Sequence, residues 1–174
     1  MNDRQSKYVE SLTKMINIKT ISNKMDYDKE VFDQFHQLLK ELFPRVFQTF
    51  KYEEFNGSIL LSYIVDNDLD PVLFMSHHDV VSENGIWEHD AFNAKVVDGK
   101  LYGRGTLDTK GNLFCILQSI EELLINNYNF NRSIYVESSC NEETTNNGAY
   151  EISRELLKRN VHFYFTMDEG GMIV

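Results

Sequence analysis

Helical and strand-like segments alternate through the second half of the sequence, and this alternation restricts the fold most. Apolar residues recur at helical spacing from about Lys110 to Asn126, and a second helix is predicted over Asn147–Lys158. Strand-like runs occur at Ser133–Ser139 and His162–Met167. Strands joined by helical crossovers form an α/β sheet. The sequence therefore predicts an α/β fold with a central, mostly parallel or mixed sheet flanked by helices.

The first half contributes two amphipathic helices and three strand-like runs. Apolar residues recur at helical spacing between Tyr8 and Ile16, and again from about Asp28 to Phe43, where Pro44 marks a helix end. The residues from Glu83 to Gly105 hold four of the nine glycines and no sustained periodicity, which predicts a long loop with short strands. The three strand-like runs are Val46–Tyr52, Ser58–Val65 and Val72–Ser76.

The charge balance and the apolar pattern exclude several classes of partner. Seventeen Lys and Arg against 27 Asp and Glu give a net charge of −10, whereas phosphate binding needs clustered basic residues. The longest apolar run, Ser58–Val65, is far shorter than the ~20 residues that span a bilayer. The N-terminal residues carry no apolar signal-peptide segment, and Cys115 and Cys140 argue against a disulfide framework. We expect a cytoplasmic protein without nucleic-acid or membrane partners.

Four clusters of acidic and histidine residues follow predicted strands, which is where ligand sites form in α/β sheets. In the first cluster, His77 and Asp79 stand two residues apart, so they project to one side of an extended chain. Asp79 is then placed to orient the imidazole or to stabilise its metal-bound form. An ordinary polar surface loop is the alternative interpretation of this pair.

The second cluster lies in the glycine-containing stretch Leu101–Gly111. Gly103 and Gly105 allow backbone conformations closed to other residues, and Asp108 comes just before a predicted helix. Because Asp is a favoured helix N-cap, capping is the alternative role for Asp108. The stretch lacks both the third glycine of the dinucleotide fingerprint and the Gly-Lys-Ser/Thr of a P-loop, which excludes the usual nucleotide sites.

The third and fourth clusters are acidic. Glu142 and Glu143 follow the Ser133–Ser139 strand, and adjacent like charges disfavour joint ionisation unless a cation neutralises them or water solvates them freely. Asp168 follows the last strand, where an ordinary acidic turn is the alternative. Together the four clusters supply one imidazole and several carboxylates, which zinc accepts as ligands, and a bridging Asp can hold two ions ~3.5–4 Å apart. The pattern indicates a two-metal hydrolytic site.

Five stretches resemble a family of zinc metallopeptidases, in the family's order and spacing. The stretches are VLFMSHHDVV, IWEHDAF, DGKLYGRGTLDTKG, NEETTNNGA and MDEGG. The family includes aminoacylase, carboxypeptidase S, glutamate carboxypeptidase, acetylornithine deacetylase and succinyl-diaminopimelate desuccinylase. The DEGG ending looks most like the carboxypeptidase S and N-acyl-amino-acid hydrolase branch. The resemblance implies a zinc-exopeptidase-like α/β fold.

The resemblance also implies a set of metal ligands. His77 would ligate one metal ion, and Asp108 would bridge both ions. Glu143 would ligate the other ion. Asp168 would ligate the same ion as His77, with Glu169 as the second candidate because this acidic residue varies among branches. The implied cofactors are two divalent ions, zinc first, with cobalt or manganese open because His and carboxylate ligands suit several metals.

Two further residues receive catalytic roles from the resemblance. Glu142 would be the general base that deprotonates the metal-held water and passes the proton to the leaving amine, and Asp79 would orient the imidazole of His77. His78 is interpreted as a neighbour of the site, and His36, His89 and His162 match no family ligand. The expected function is hydrolysis of an amide or peptide bond in a small peptide or an N-acyl amino acid.

The sequence departs from the family pattern mainly in length. Family members are about twice as long or more, and they carry a lid domain, through which they often dimerise, and a returning segment with a last histidine ligand. Residues 1–174 are thus expected to be the N-terminal part of the catalytic domain, apparently truncated. A smaller departure is the Thr-Thr-Asn-Asn that follows Glu143, where glycine is frequent. The alternative function is a catalytically inactive remnant that binds metal or a partner.

Overall fold

The computed structural model describes residues 2–23 and 28–169 of the chain, and from Lys110 onward helices and strands alternate as the α/β prediction requires. The helices are α1 (Asp3–Asn17), α2 (Lys29–Leu42), α3 (Pro44–Thr49), α4 (Lys110–Ile125) and α5 (Asn147–Lys158). The strands are β1 (Lys51–Phe55), β2 (Ser58–Tyr63), β3 (Val72–Met75), β4 (Lys95–Val97), β5 (Lys100–Tyr102), β6 (Ile134–Ser138) and β7 (Phe165–Met167).

A five-stranded mixed sheet has the order β1-β2-β6-β3-β7. The strands β6, β3 and β7 run parallel to one another, whereas β2 pairs in antiparallel fashion with both β1 and β6. The predicted mixed α/β sheet flanked by helices is confirmed. Because the parallel strands end at the same edge, the residues that follow β3, β6 and β7 meet there. The strands β4 and β5 form a separate hairpin inside the predicted loop.

Apolar side chains cover the sheet on both faces. On one face, α1, α2 and α4 pack their apolar stripes on alternate residues of β2 and β6, and on the other face α5 does so. The strand β6 is buried along its whole length, as expected of a strand covered on both sides. Side chains of the first core include Met15, Phe35, Leu39, Leu113, Leu117 and Val136, and those of the second include Leu60, Leu73, Tyr135, Ile152 and Leu156.

The predicted strand Val46–Tyr52 is wrong over most of its length, because a short helix, α3, occupies Pro44–Thr49. Proline stands in the first turn of this helix, where backbone N–H groups have no intrahelical acceptor, so its missing N–H costs no hydrogen bond. The buried carboxylate of Glu121 on α4 accepts the N–H groups of Arg45, at 3.1 Å, and Val46, at 2.9 Å. A capping group 75 residues away is not visible in the local pattern.

The last strand is shorter than the predicted His162–Met167, since pairing with β3 begins only at Phe165. On the side of β7 away from β3, no strand of the described residues pairs with it. The apolar side chains of Phe165 and Met167 on this strand are exposed. None of the helices in the described part of the chain is both long and apolar enough to span a bilayer.

Candidate metal centre

The His-x-Asp segment that follows β3 is buried inside the molecule. The parallel backbone pairing of β3 with β6 continues beyond the end of β3. Ser76 N–H donates to Glu137 O (3.1 Å), and His78 N–H donates to Ser139 O (2.9 Å). His77 is 2% exposed and Asp79 is fully buried. The surface-loop interpretation of this pair is therefore wrong.

Asp79 fixes the orientation of the His77 ring. Nδ1 of His77 lies 2.9 Å from the backbone oxygen of Asp79 and 3.3 Å from its Oδ1, so Nδ1 carries the hydrogen in this arrangement. The other ring nitrogen, Nε2, faces three carboxylates. They are Asp108 Oδ1 at 3.1 Å, Glu169 Oε2 at 3.5 Å and Glu142 Oε2 at 3.7 Å. Nε2 is thus the ring atom available to a ligand.

The carboxylates around His77 favour a positive charge at this point. Burial opposes protonation of the ring, but the hydrogen bond to Asp79 and the charge of Glu169 outweigh it and raise the pKa of His77 to about 10. Burial also raises the pKa of Glu143 and of Glu169 above the ordinary carboxyl value, with neighbouring carboxylates acting in the same direction. A divalent cation supplies the same compensation as these protons.

Asp108 approaches the cluster from the loop before α4. The N-cap of α4 is Thr109, so Asp108 does not take the alternative capping role, and its side chain is 74% exposed. The Asp108–Thr109 peptide bond is cis. Gly105 has a φ of +87°, and a Cβ there would lie 3.1 Å from a methyl group of Val80. The loop therefore needs glycine at this position to pack against the His-x-Asp segment.

The backbone of the two glutamates is tied to Asp79. Oδ1 of Asp79 accepts the N–H of Glu142 at 3.0 Å, and Oδ2 accepts the N–H of Glu143 at 3.2 Å. Both glutamate side chains are left partly exposed at the mouth of the sheet. One buried carboxylate thus holds both His77 and the loop that presents the two glutamates.

Asn141 closes the turn that contains the glutamates. Its backbone oxygen accepts the N–H groups of Thr145 (3.0 Å) and Asn146 (2.7 Å), and its side chain accepts the N–H of Gly148 (2.9 Å). Asn146 has a φ of +54°, in the left-handed region where glycine is usual and Asn is tolerated. The Thr-Thr-Asn-Asn stretch therefore lies in a hydrogen-bonded turn directly after Glu143.

Of the two adjacent acids at the end of β7, Glu169 is the one beside His77. Asp168 is exposed, and its Oδ1 accepts the N–H of Glu169 at 2.8 Å. Oε2 of Glu169 is buried and has no hydrogen-bond partner among the described residues. The geometry favours Glu169, the second candidate of the sequence prediction, over Asp168.

The cluster fits a divalent cation. Ligand atoms lie within 4.8 Å of one another in two groups that share His77, one with Asp108 and Glu143 and the other with Glu142 and Glu169. One imidazole nitrogen with carboxylate oxygens is a donor set that zinc, manganese and cobalt accept. The buried Oε2 of Glu169 makes no hydrogen bond within the described residues and lies 3.5 Å from Nε2 of His77, an arrangement that suits a shared cation.

The other histidines of the described residues lie outside these two groups. His78 is fully buried, stacked on Phe35, with its Nε2 3.3 Å from Nε2 of His36, and burial holds the pKa of His78 well below its ordinary value. His36 also stands near the carboxylates of Asp33 and Glu54, but Lys29 pairs with Asp33. His89 packs edge-on against Tyr102, and His162 lies near Asn160.

Sequence reasoning missed two buried ionisable residues near the site. Glu137 lies within β6, and burial together with the charges of Asp168 and Glu169 raises its pKa to about 8. Lys110 is fully buried and donates to the backbone oxygens of Met15 (3.1 Å) and Ile18 (2.6 Å), while burial lowers its pKa to about 7. For Glu137 the available signal is a charged residue in an apolar strand, whereas the polar stretch around Lys110 carries no such signal.

A sequence profile described as Peptidase family M20/M25/M40 matches residues 73–174, more than half of the chain and all of the candidate centre. The chain belongs to this peptidase family. The N-fatty-acyl-amino acid synthase/hydrolase PM20D1 of Bos taurus is 35% identical over 172 residues, which are 95% of this chain and 34% of that protein. The probable carboxypeptidase S-like 2 of Dictyostelium discoideum is 35% identical over 91% of this chain and 33% of its own length.

Solved structures share the fold of this M20 chain. Human carnosine dipeptidase 1 superposes with a TM-score of 0.77 at 19% identity, covering 98% of this chain and 40% of that one. The M20 family metallo-carboxypeptidase Sso-CP2 from Sulfolobus solfataricus also gives a TM-score of 0.77, at 20% identity, covering 99% of this chain and 38% of that one. The M20 chain thus spans about a third of the two relatives by sequence and about two fifths of the two solved structures.

Proposed function

We propose that this chain supplies the metal-binding and proton-transfer residues of an enzyme that hydrolyses amide or peptide bonds. The observation that carries the proposal is the convergence of carboxylates on Nε2 of His77, a ring atom that Asp79 orients from behind. Membership of a peptidase family supports the same reaction class. The names of the matched relatives favour an N-acyl amino acid or a small peptide as substrate.

The proposed ligands are members of the two groups around His77, and we divide them between two ions as the family resemblance implies. His77, Asp108 and Glu169 would hold one divalent ion, with Asp168 as the alternative to Glu169. Asp108 and Glu143 would hold the second ion, so Asp108 would be shared. Zinc is the first choice because it accepts both imidazole nitrogen and carboxylate oxygen, and cobalt and manganese suit the same ligands.

The catalytic role in this proposal belongs to Glu142. Two bound divalent ions would polarise the scissile carbonyl and lower the pKa of a water molecule. Glu142 would accept the proton of that water and donate it to the leaving amine. Its backbone N–H is fixed by Asp79, while its side chain is 40% exposed and can reach a substrate. Asp79 would hold His77 with Nε2 unprotonated when the metal is bound.

A metal-binding chain without turnover is the second candidate. The observation that favours it is the coverage of about a third of each matched relative, at 34% and 33% of their lengths. In the described residues, His77 is the one histidine in the two ligand groups of the centre. Both candidates predict metal binding, and they differ in hydrolysis.

The test compares Glu142→Gln with the wild-type chain after zinc or cobalt loading, on a panel of dipeptides and N-acyl amino acids. We expect unchanged metal content and a hydrolysis rate lower by a factor of about 10² to 10⁴, because the general base is lost. Glu88→Gln, at an exposed glutamate outside the site, is the matched control. Equal activity of Glu142→Gln and wild type would refute the base assignment. Bound metal without wild-type hydrolysis would favour the second candidate.

A further inference from the structure

The segment that follows α1 runs beside the His-x-Asp segment. Ile21 forms a parallel bridge with Val80, and the N–H of Val80 donates to the backbone oxygen of Thr20 at 2.9 Å. The Thr20 hydroxyl donates to the backbone oxygen of His78 at 2.5 Å. This N-terminal segment lies outside residues 73–174, the part matched by the family profile.

Ser22 brings this segment into contact with the centre. Its hydroxyl donates to Oδ2 of Asp79 at 2.5 Å, and both residues are buried. The same carboxylate accepts the N–H groups of Glu142 and Glu143 and lies 3.3 Å from Nδ1 of His77. Asp79 thus connects three parts of the chain, and Ser22 contributes a side-chain hydroxyl to its hydrogen bonds.

We propose that Ser22 is a positioning residue that fixes the Asp79 carboxylate and, through it, the backbone of Glu142 and Glu143 and the ring of His77. The terminal torsion of an aspartate is broad, so the carboxylate plane is set by its donors. Hydrogen bonds to an ionised acceptor are among the stronger ones, and burial removes water as a substitute for the hydroxyl.

Loss of the hydroxyl would leave Oδ2 of Asp79 with the longer bond from Glu143 N–H, at 3.2 Å. The carboxylate could then turn, which would loosen both glutamate amides and the contact with Nδ1 of His77. A second contact supports the link, since Thr144 Oγ1 lies 3.5 Å from the Ser22 hydroxyl on the glutamate loop. The consequence for catalysis rests on the proposed function, whereas the positioning itself does not.

The test uses the full 174-residue chain with Ser22→Ala, the conservative variant Ser22→Thr, and Thr20→Val as the matched control. Thr20→Val removes a hydroxyl from the same segment, but that hydroxyl bonds to a backbone oxygen and not to Asp79. Hydrogen exchange of the Glu142 and Glu143 amides is measured without metal, relative to the amides of β6. Zinc affinity is measured separately by competition with a chelator.

We expect Ser22→Ala to speed exchange of both glutamate amides by about tenfold relative to β6 and to weaken zinc binding by about 10-fold or more, as is usual for residues behind metal ligands. Ser22→Thr should restore both, and Thr20→Val should leave the relative exchange unchanged. Unchanged exchange in Ser22→Ala, or equal acceleration in Thr20→Val, would overturn the proposal. If exchange responds but the wild-type chain binds no zinc, the positioning role stands and the proposed function fails.

Discussion

The two sides of the candidate centre are built differently. On one side, His77 and Asp79 are buried and held by donors from three parts of the chain. On the other side, the carboxylate of Asp108 is 74% exposed and its contact is with His77. The buried side is ordered by the protein alone, since Nδ1 of His77 and both carboxylate oxygens of Asp79 have partners in the fold. The exposed side supplies the negative charge of Asp108, which a bound cation would attract.

This difference separates stability from metal binding. A buried acceptor that satisfies several backbone N–H groups contributes to folding, because its removal leaves those donors desolvated and unpaired. Removal of an exposed carboxylate changes the free energy of unfolding little, because water can replace it as a partner. Substitutions on the buried side should therefore reduce both stability and metal binding, and those on the exposed side should reduce metal binding alone.

The largest effect is expected from Asp79→Ala. Its removal leaves the amides of Glu142 and Glu143 without an acceptor, at about 1–3 kcal/mol for each buried group, so the free energy of unfolding should fall by about 3 kcal/mol or more. Zinc affinity should fall by about 100-fold. Urea unfolding and zinc titration measure the two effects. Asp68→Ala, at an exposed loop acid, is the control, and an equally small effect of both variants would contradict the account.

A loss of stability of similar size, without the direct loss of a group that holds His77, is expected from Lys110→Ala. This buried side chain joins the start of α4 to the end of α1, just before the segment that contains Ser22. A cavity and two unpaired backbone oxygens should cost about 2–4 kcal/mol of unfolding free energy. Lys100→Ala, at an exposed lysine of β5, should change it by less than about 0.5 kcal/mol. Thermal unfolding of the two variants decides whether α1 supports the buried side.

The pH dependence of metal binding measures the charge at His77. Because its pKa in the metal-free chain is about 10, the ring holds a proton at neutral pH that the metal must displace. Zinc affinity should therefore rise by about tenfold for each unit of pH between 6 and 8, as one proton is released. Competition titrations at several pH values test this slope. An affinity independent of pH would contradict a His77 ligand that is protonated in the metal-free chain.

The smallest effect on stability is expected from Asp108→Asn. Because the carboxylate is mostly exposed, unfolding of the metal-free variant should match that of the wild type within about 0.5 kcal/mol. The additional stability that zinc gives the wild type should be lost. Calorimetry with and without zinc measures both quantities. A large loss of metal-free stability would remove the distinction between the two sides.

The layout of the centre could be predicted from the sequence because it depends on patterns within short stretches of the chain. Helical periodicity located α2, α4 and α5, and the polar residues that follow β3, β6 and β7 marked the sheet edge. The family resemblance then assigned roles to individual residues, and the family itself is confirmed. The roles of His77, Asp108, Glu142 and Glu143 stay predictions that the geometry supports.

The parts that could not be predicted depend on contacts distant in sequence. The helix α3 occupies a strand-like apolar run because Glu121 caps it from α4. Ser22 lies in a polar stretch without local pattern, and its partner Asp79 is 57 residues away. Asp168 and Glu169 are adjacent acids, so only the direction in which the chain leaves β7 decides which one faces His77.

The most direct test of the central claim is the zinc content of the purified chain by elemental analysis, for wild type, Glu143→Ala, Glu169→Ala and Asp168→Ala. The two glutamate variants remove carboxylates that lie in the ligand groups, and Asp168→Ala removes the exposed neighbour. We predict near-stoichiometric zinc in wild type and in Asp168→Ala, and clearly less in Glu143→Ala and Glu169→Ala. No zinc in the wild-type chain at neutral pH with zinc added, or equal zinc in all four proteins, would contradict a metal centre at His77.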